Sequence, residues 1–427
     1  MQIFKKAAAI MLLAAIMVTS LSSCMYTGIR GLGSDSGYIT EDELENILAN
    51  RLPNGDINLD GGDNNYITIE GGSSNIVAAS KSLLSAVSVY AAFEKISYGF
   101  GGTSTQTSYS AGSGVIYKLD KNSGGAYVIT NYHVVYNSEA RTANKISDKI
   151  SIYLYGMEGN EKYAIPATYV GGSMEYDLAV LKVDKSAILV SSNAMPATFA
   201  NSNDVAVLDM AIAVGNPEGE GISATLGYVN VDSEYVKLSF DTTGSNVSVE
   251  LRVMRIDTAV NSGNSGGGLF NEKGELIGIV NAKMLESENI GYAIPSNIVK
   301  NIADNILYYC DGKTAEVPYR CLVGITVGAE NNYTVYDTET GKVHKREDVV
   351  IQSLTNDSIA KGYLNVGDTI TSITIDGTSH EVARMYNVID AMLTARVGSE
   401  VIFTVTRNGE KINVTVPITE QSLTACK

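Results

Sequence analysis

The sequence predicts a mainly β protein, with two consecutive series of short strands that each suit a barrel or a sandwich, followed by a smaller α+β unit. Three observations carry this. Short apolar and β-branched runs recur at close spacing from residue 86 to residue 294, which is the pattern of barrels and sandwiches. The chain holds 41 Gly among 427 residues, enough to turn between such strands. Beyond residue 319 the strand runs are interrupted by segments with helical spacing, and Asn408-Gly409 sits between two alternating runs as a hairpin turn signal.

The elements follow in order. Lys5 and Lys6 precede an apolar stretch, Ala7 to Val18, of signal-peptide length and short for a membrane span. It ends in Leu21-Ser22-Ser23-Cys24, which resembles the lipobox of bacterial lipoproteins. That resemblance implies cleavage after residue 23, lipidation of the Cys24 thiol and attachment to a membrane surface. Residues 24–75 are rich in Gly, Ser, Asn and Asp and read as an acidic tether, with a short helix over Glu41–Leu52. Ile76–Leu84 has helical spacing. Strands are expected at 86–93, 113–119, 126–131, 150–155, 164–171 and 177–183, then at 211–214, 223–231, 247–257, 268–270, 275–283 and 291–294. A helix follows over Ser296–Leu307, with Ser296-Asn297 as its N-cap. Residues 310–318 read as a linker. The last unit, 319–420, holds strands at 322–327, 349–354, 369–375, 401–407 and 411–417, a short helix near Asp357–Gly362 and a longer one over Tyr386–Ala395. Residues 421–427 are left as a tail.

Composition narrows the function. A net charge of −16 disfavours a nucleic-acid partner, which needs a basic face. No C-x-x-C occurs and the 3 His are far apart, so no metal and no cofactor are expected. Cys310 and Cys321 flank the linker and either pair in an oxidising compartment or stay free thiols.

Asn261-Ser262-Gly263-Asn264-Ser265-Gly266-Gly267 is the most informative stretch. A hydroxyl becomes a nucleophile near neutral pH only with a general base beside it and donors aimed at the developing oxyanion. Gly263, without a Cβ, lets its N–H and that of Ser265 face one concavity. For the base, His133 ends the apolar run Val128-Ile129-Thr130, whereas His344 lies among Lys342, Lys345 and Arg346 and His380 follows a turn at Asp376-Gly377. Asp177 opens the buried run Leu178–Val183 and is the carboxylate placed to orient His133. Asp204, Asp209 and Asp257 are its weaker rivals.

Gly263-Asn264-Ser265-Gly266-Gly267 also satisfies G-x-S-x-G, the nucleophile elbow of α/β-hydrolases. An elbow requires a helix directly after the serine and the order Ser, acid, His. Here three glycines and then strand-like residues follow, and the order is His133, Asp177, Ser265, the chymotrypsin-type arrangement.

With these residues in place the chain resembles the trypsin-like HtrA (Deg) family of extracytoplasmic serine proteases. The matching segments are Gly112-Ser113-Gly114-Val115, Thr130–Val135, Tyr176–Val183, Ala213–Pro217, Asp257–Leu269 and Gly291–Pro295, spanning about 76–309. The resemblance implies a double β-barrel of the chymotrypsin/trypsin type. In it, Ser265 is the nucleophile, His133 the base, Asp177 the orienting acid, and Gly263 and Ser265 form the oxyanion hole. Ala259 would floor the first specificity pocket, with Asn281 and Ala282 on its wall, a lining that suits aliphatic residues. Two departures, Ser262 and Gly268 where the family usually has proline, are expected to loosen the loop around the nucleophile.

Leu322-Val323-Gly324-Ile325, Leu364–Ile370 and Ile375-Asp376-Gly377 resemble a PDZ domain. That implies capture of a peptide C-terminus by the backbone of Val323, Gly324 and Ile325, with the peptide added as a strand to a sheet edge. Family resemblance further implies unfolded or misfolded exported polypeptides as substrates and a homotrimer. Two alternatives remain at this stage: a peptide-binding holdase with a silent protease site, and an α/β-hydrolase esterase that would depend on His344 or His380.

Overall fold

The computed structural model describes residues 57–58, 68–69, 74–99, 102–242, 245–282 and 290–427. The signal-peptide and lipobox readings, Cys24 included, and the helix read over Glu41–Leu52 lie outside the described residues. The chain divides into two compact units, residues 1–72 and 73–427. In the first, Ile57–Asn58 pairs antiparallel with Thr68–Ile69. Among the described residues no helix is long and apolar enough to cross a membrane.

The second unit opens with helix α1 (Ser74–Leu83) and a six-stranded closed barrel. Its strands are β1 (Ala86–Gly99), β2 (Gly102–Asp120), β3 (Gly125–Thr130), β4 (Lys149–Leu154), β5 (Ile165–Ser173) and β6 (Leu178–Val183), closing in the order β1-β2-β3-β6-β5-β4. Alternation builds this barrel: Val87, Val89, Ala91 and Phe93 recur with period two on β1 and are all buried. Ile116, Val128, Ile152 and Leu181 meet them inside. The hairpin of β1 and β2 runs well past the expected strands, to Gly99 opposite Gly102. The Ser- and Thr-rich start of β2 is mostly exposed from Ser104 to Ala111, so it has no apolar face for a pattern to reveal.

A second closed barrel follows. Its strands are β7 (Met210–Gly215), β8 (Ser223–Thr242), β9 (Ser245–Ile256), β10 (Gly268–Phe270), β11 (Leu276–Val280) and β12 (Gly291–Pro295), closing as β8-β9-β12-β11-β10-β7. Again the hairpin, here β8 with β9, is longer than the sequence reading, continuing through Val236, Leu238 and Phe240 to Thr242 opposite Ser245. A short helix α2 (Tyr132–Val135) follows β3, and α3 (Ala187–Ser191) follows β6. Helix α4 (Ser296–Tyr309) packs Ile298, Val299, Ile302 and Ile306 into the core at helical spacing. Ser296 and Asn297 do not cap it. Pro295 occupies the cap position, while Ser296 Oγ donates to Ala200 O and Asn297 Oδ1 accepts from Ser202 N–H.

The C-terminal unit is an open sheet with one helix. Strands β13 (Tyr319–Cys321), β14 (Ile325–Tyr336), β15 (Val343–Leu354), β16 (Thr369–Ile375) and β17 (Thr378–Glu381) precede helix α5 (Met385–Met392). Then come β18 (Glu400–Arg407), β19 (Glu410–Pro417) and β20 (Leu423–Ala425). The sheet runs β14-β15-β16-β18-β19, with β17 against β16, so β14 is an edge strand. Asn408 and Gly409 both have positive φ, 51° and 84°, as a two-residue hairpin turn requires. Segment 357–362 forms turns, not the expected helix: the Ser358 hydroxyl and the Ala360 N–H brace the loop at Val323, both donating to Val323 O. Residues 421–427, read as a tail, are built into the fold. β20 pairs with β13 and Cys426 N–H donates to Pro318 O. Cys310, Cys321 and Cys426 are buried free thiols, so Cys310 and Cys321 are not bridged here.

Candidate active site

Three loops bring the candidate residues together. His133 lies on α2, Asp177 on the turn between β5 and β6, and Ser265 on the loop between β9 and β10. The first two belong to one barrel and the serine to the other, so the site forms where the barrels meet. His133 Nε2 stands 2.9 Å from Ser265 Oγ, and His133 Nδ1 stands 2.7 Å from Asp177 Oδ2. Ala282 N–H donates to Ser265 Oγ at 3.2 Å. That contact uses an acceptor lone pair of the hydroxyl and leaves its proton for His133 Nε2.

Asp177 is fully buried and is held from several sides. Its Oδ1 accepts from His133 N–H at 3.0 Å, and its Oδ2 also accepts from Asn281 Nδ2 at 2.6 Å. Its carbonyl accepts from Asn131 Nδ2 at 2.8 Å and from Tyr132 N–H at 3.2 Å. These donors offset the cost of burying the charge and direct Oδ2 at the imidazole. A carboxylate at Nδ1 places the ring proton there and leaves the Nε2 lone pair facing the hydroxyl. Beside it, Tyr132 stacks on Tyr136 and meets Phe240 edge-on. Burial pushes the Tyr132 phenol well above its usual range, so this ring is neutral packing next to His133.

The loop that carries Ser265 is fixed by contacts distant in sequence. Gly263 has φ 97°, a conformation that favours glycine. Ser262 O accepts from Glu218 N–H at 2.8 Å, and Gly263 O accepts from Ser113 Oγ at 2.7 Å. Ser113 Oγ in turn accepts from Asn216 N–H at 2.8 Å. Among the described residues, neither Gly263 N–H nor Ser265 N–H is engaged in a hydrogen bond. The peptide before Gly263 is trans, so with Ser262 O committed to Glu218 the Gly263 N–H faces the opposite side. The loosening expected from Ser262 and Gly268 is therefore countered at both peptides of Gly263. At Gly268 the reason for a missing side chain is also plain: a Cβ there would lie 2.3 Å from the Phe270 ring.

A cavity of about 520 Å³ opens beside the serine, lined by His133, Tyr136, Phe240, Ser262, Ser265 and Ala282, with Lys95, Glu139 and Asp241 also in its lining. Of the three residues expected to form the specificity pocket, Ala282 is in this lining. Asn281 is buried with its amide on Asp177, and Ala259 is exposed with its carbonyl taken by Thr225 Oγ1. Residues 283–289, which follow Ala282, lie outside the described residues. His344 and His380 sit on β15 and β17, away from Ser265. The segment after Ser265 enters strand β10, and no nucleophile-elbow helix is present there.

Sequence reading missed four groups that position this site: Ser113, Glu218, Asn131 and Asn281 in its observed role. Ser113 and Asn131 lie inside segments that signalled the family, but their partners lie 150 and 46 positions away. No local pattern discloses such pairs.

At the second candidate site Val323 is buried, Gly324 has φ 77° and Ile325 begins β14. Thr355 N–H donates to Gly324 O, and Ser358 Oγ to Val323 O. The carbonyls are thus tied back, while Val323 and Gly324 N–H donate to no described residue.

Comparison with known proteins agrees with this architecture. Residues 112–279 match the family described as trypsin-like peptidase domain, and residues 323–418 match the PDZ domain. The periplasmic serine endoprotease DegP of Escherichia coli (strain K12) is 32% identical over 332 residues, covering 76% of this chain and 60% of that protein. Serine protease Do-like HtrA of Lactococcus lactis subsp. lactis (strain IL1403) is 33% identical over 297 residues, covering 66% of this chain and 65% of that protein. Among solved structures, the HtrA-type protease AlgW with tripeptide overlaps 82% of this chain and 97% of its own at 26% identity, with a TM-score of 0.48. The chain spans less than two thirds of the length of these two curated relatives. Taken with the two barrels and the C-terminal sheet, the sequence matches give the chain a trypsin-like peptidase domain followed by a PDZ domain, an arrangement similar to that of the HtrA/DegP serine proteases.

Proposed function

We propose that the chain is an extracytoplasmic serine endopeptidase that cleaves unfolded or misfolded polypeptides through an acyl-enzyme. The observation that supports it most is the run Asp177–His133–Ser265 at 2.7 and 2.9 Å, beside two unengaged N–H groups. In this reading Ser265 Oγ attacks the scissile carbonyl as His133 Nε2 takes its proton. Asp177 holds Nδ1 and stabilises the imidazolium, and the Gly263 and Ser265 N–H groups receive the oxyanion. His133 then protonates the leaving amine, and water, activated by the same imidazole, releases the acyl group. Ala282, small and apolar, lies beside the serine and suits an aliphatic side chain ahead of the cleaved bond.

The PDZ unit serves peptide capture. An incoming C-terminal carboxylate is held by the N–H groups of Val323, Gly324 and Ile325 while its backbone extends the sheet at the β14 edge. The lipobox-like segment at Cys24 would tether the enzyme to a membrane, and family resemblance favours a homotrimer. Both belong to this proposal, as does the envelope location, which is in keeping with the periplasmic DegP relative.

The test is fluorophosphonate labelling and casein cleavage by the full chain, with Ser265→Ala as control. Both activities are expected in the wild type. In the variant turnover falls on the order of 10⁶-fold. Intact casein with a folded, unlabelled wild-type protein would overturn the proposal.

A further inference from the structure

Asp177 occupies an unusual backbone position for the residue on which the site turns. Its φ is 48°, left-handed for a residue with a Cβ, and such a conformation persists only where the surroundings impose it. Inside the first barrel the constraint comes from the hydrogen bonds to its carbonyl and carboxylate. Of the four residues before it, Ser173, Glu175 and Tyr176 are held, besides their local turn bonds, by segments from the far end of the chain. Glu175 N–H donates to Lys427 O at 2.6 Å, and Ser173 Oγ donates to the same oxygen at 3.3 Å. Arg320 Nη1 donates to Glu175 Oε1 at 2.6 Å and to Tyr176 Oη at 2.5 Å. Just ahead, Gly172 N–H donates to Glu316 O.

These contacts are enclosed. Tyr176, next to Asp177, packs in the same core as fully buried Cys426. The Arg320 side chain is 16% exposed, so its ion pair with Glu175 is shielded more than a surface pair is. Arg320 lies on β13, which pairs directly with β20, Arg320 standing opposite Thr424. The strands that open and close the C-terminal unit therefore form one brace, and the brace ends on the turn that presents the orienting carboxylate.

We propose that Arg320, together with the paired strands β13 and β20, is a positioning device for Asp177. It fixes the Ser173–Tyr176 turn and thereby the His133–Asp177 hydrogen bond. The proposal rests on the proteolytic reading for its kinetic consequence, but the hydrogen bond itself is observable without turnover. Arg320 touches neither substrate nor the reacting atoms; it acts through Glu175 and Tyr176.

The experiment compares wild type, Arg320→Leu, Arg320→Lys and Arg252→Leu in the full chain. Arg252→Leu breaks a different contact of the C-terminal unit, with Asp390, and controls for general loosening. Two readouts are taken: kcat and KM on a peptide substrate, and the low-field proton resonance of His133 Nδ1–H in ¹H NMR. For Arg320→Leu we expect kcat to fall ~10- to 100-fold with KM nearly unchanged, as a small misplacement of a catalytic group does. The low-field resonance should broaden or disappear. Arg320→Lys should restore part of both, and Arg252→Leu should move neither. If Arg320→Leu does not fold, Glu175→Gln, which keeps the guanidinium and removes the anion, carries the same expectation at smaller amplitude. A folded Arg320→Leu protein with wild-type kcat and an unchanged resonance overturns the proposal. A wild type without turnover whose resonance is still lost in Arg320→Leu would instead sink the proteolytic reading and uphold the brace.

Discussion

Gly263→Ala probes the proposed oxyanion loop at a backbone position where the structure leaves no room for a Cβ. A Cβ on Gly263 would lie 2.2 Å from Asn216 O and 2.7 Å from Glu218 N, with φ at 97°. Neither neighbour is the end of a flexible side chain. Both are main chain, and Glu218 itself has a positive φ of 57° while its N–H holds Ser262 O. Relief requires a shift on the order of 1 Å in the peptide that carries the Gly263 N–H, and a misplacement of that size costs about 10²-fold. Losing one oxyanion donor outright costs ~10²–10³ in turnover. The expected result is therefore a fall of kcat by ~10²–10³ with KM little changed, because the donor acts on charge that develops only in the transition state. Steady-state hydrolysis of a peptide ester gives both constants, and circular dichroism shows whether the variant is folded. Gly219→Ala in the neighbouring loop is the control. It also has positive φ, 78°, but its Cβ would meet nothing closer than 3.6 Å. It should lose about 1–2 kcal/mol of stability to backbone strain and keep its kcat. Wild-type kcat in Gly263→Ala would refute the assignment of this N–H to the oxyanion site.

Two further outcomes concern the C-terminal unit. Arg252 and Asp390 form an ion pair with side chains 5% and 9% exposed, and the guanidinium lies 3.9 Å over the Tyr386 ring. Burial pushes the Asp390 carboxyl up while Arg252 pulls it down, so Arg252→Leu leaves an uncompensated acid and should cost about 3–5 kcal/mol. The double change Arg252→Leu/Asp390→Leu should cost clearly less; hydrogen exchange at α5 measures both, and equal losses would contradict the argument. For Asp368, burial raises the carboxyl, but hydrogen bonds from Arg407 and Asn365 and the Arg407 charge outweigh it and hold it below the usual 3.8. A depressed folded value contributes stability that is present above pH 3.8 and lost as pH falls through the lower value. Melting against pH should show this acid loss, and Asp368→Asn should remove that part of it.

Much of this arrangement was legible before any coordinates. The order His133, Asp177, Ser265 separated two unrelated folds that share a G-x-S-x-G, and strand β10 directly after the glycines agrees with that separation. Period-two runs marked the strands whose inner face is buried, such as Val87 to Phe93. Where a strand has no buried face, as in the first half of β2, the pattern fell silent. Segment 357–362 misled because its Ser358 hydroxyl and Ala360 N–H brace the Val323 loop, a use that local propensity does not register.

What the sequence determined by itself is therefore chemistry and periodicity: residue types in a usable order, glycines where side chains do not fit, and faces that alternate. Tertiary structure alone decided which groups hold the reacting ones. Asn281 read as a pocket wall and turns out to hold Asp177; Ser113 reaches Gly263 across 150 positions and Arg320 reaches Glu175 across 145. The physical reason is that a hydrogen bond needs its two groups within about 3 Å in space and sets no requirement on their separation along the chain. Barrel closure and the pairing of β13 with β20 bring those groups together, and neither leaves a local signature.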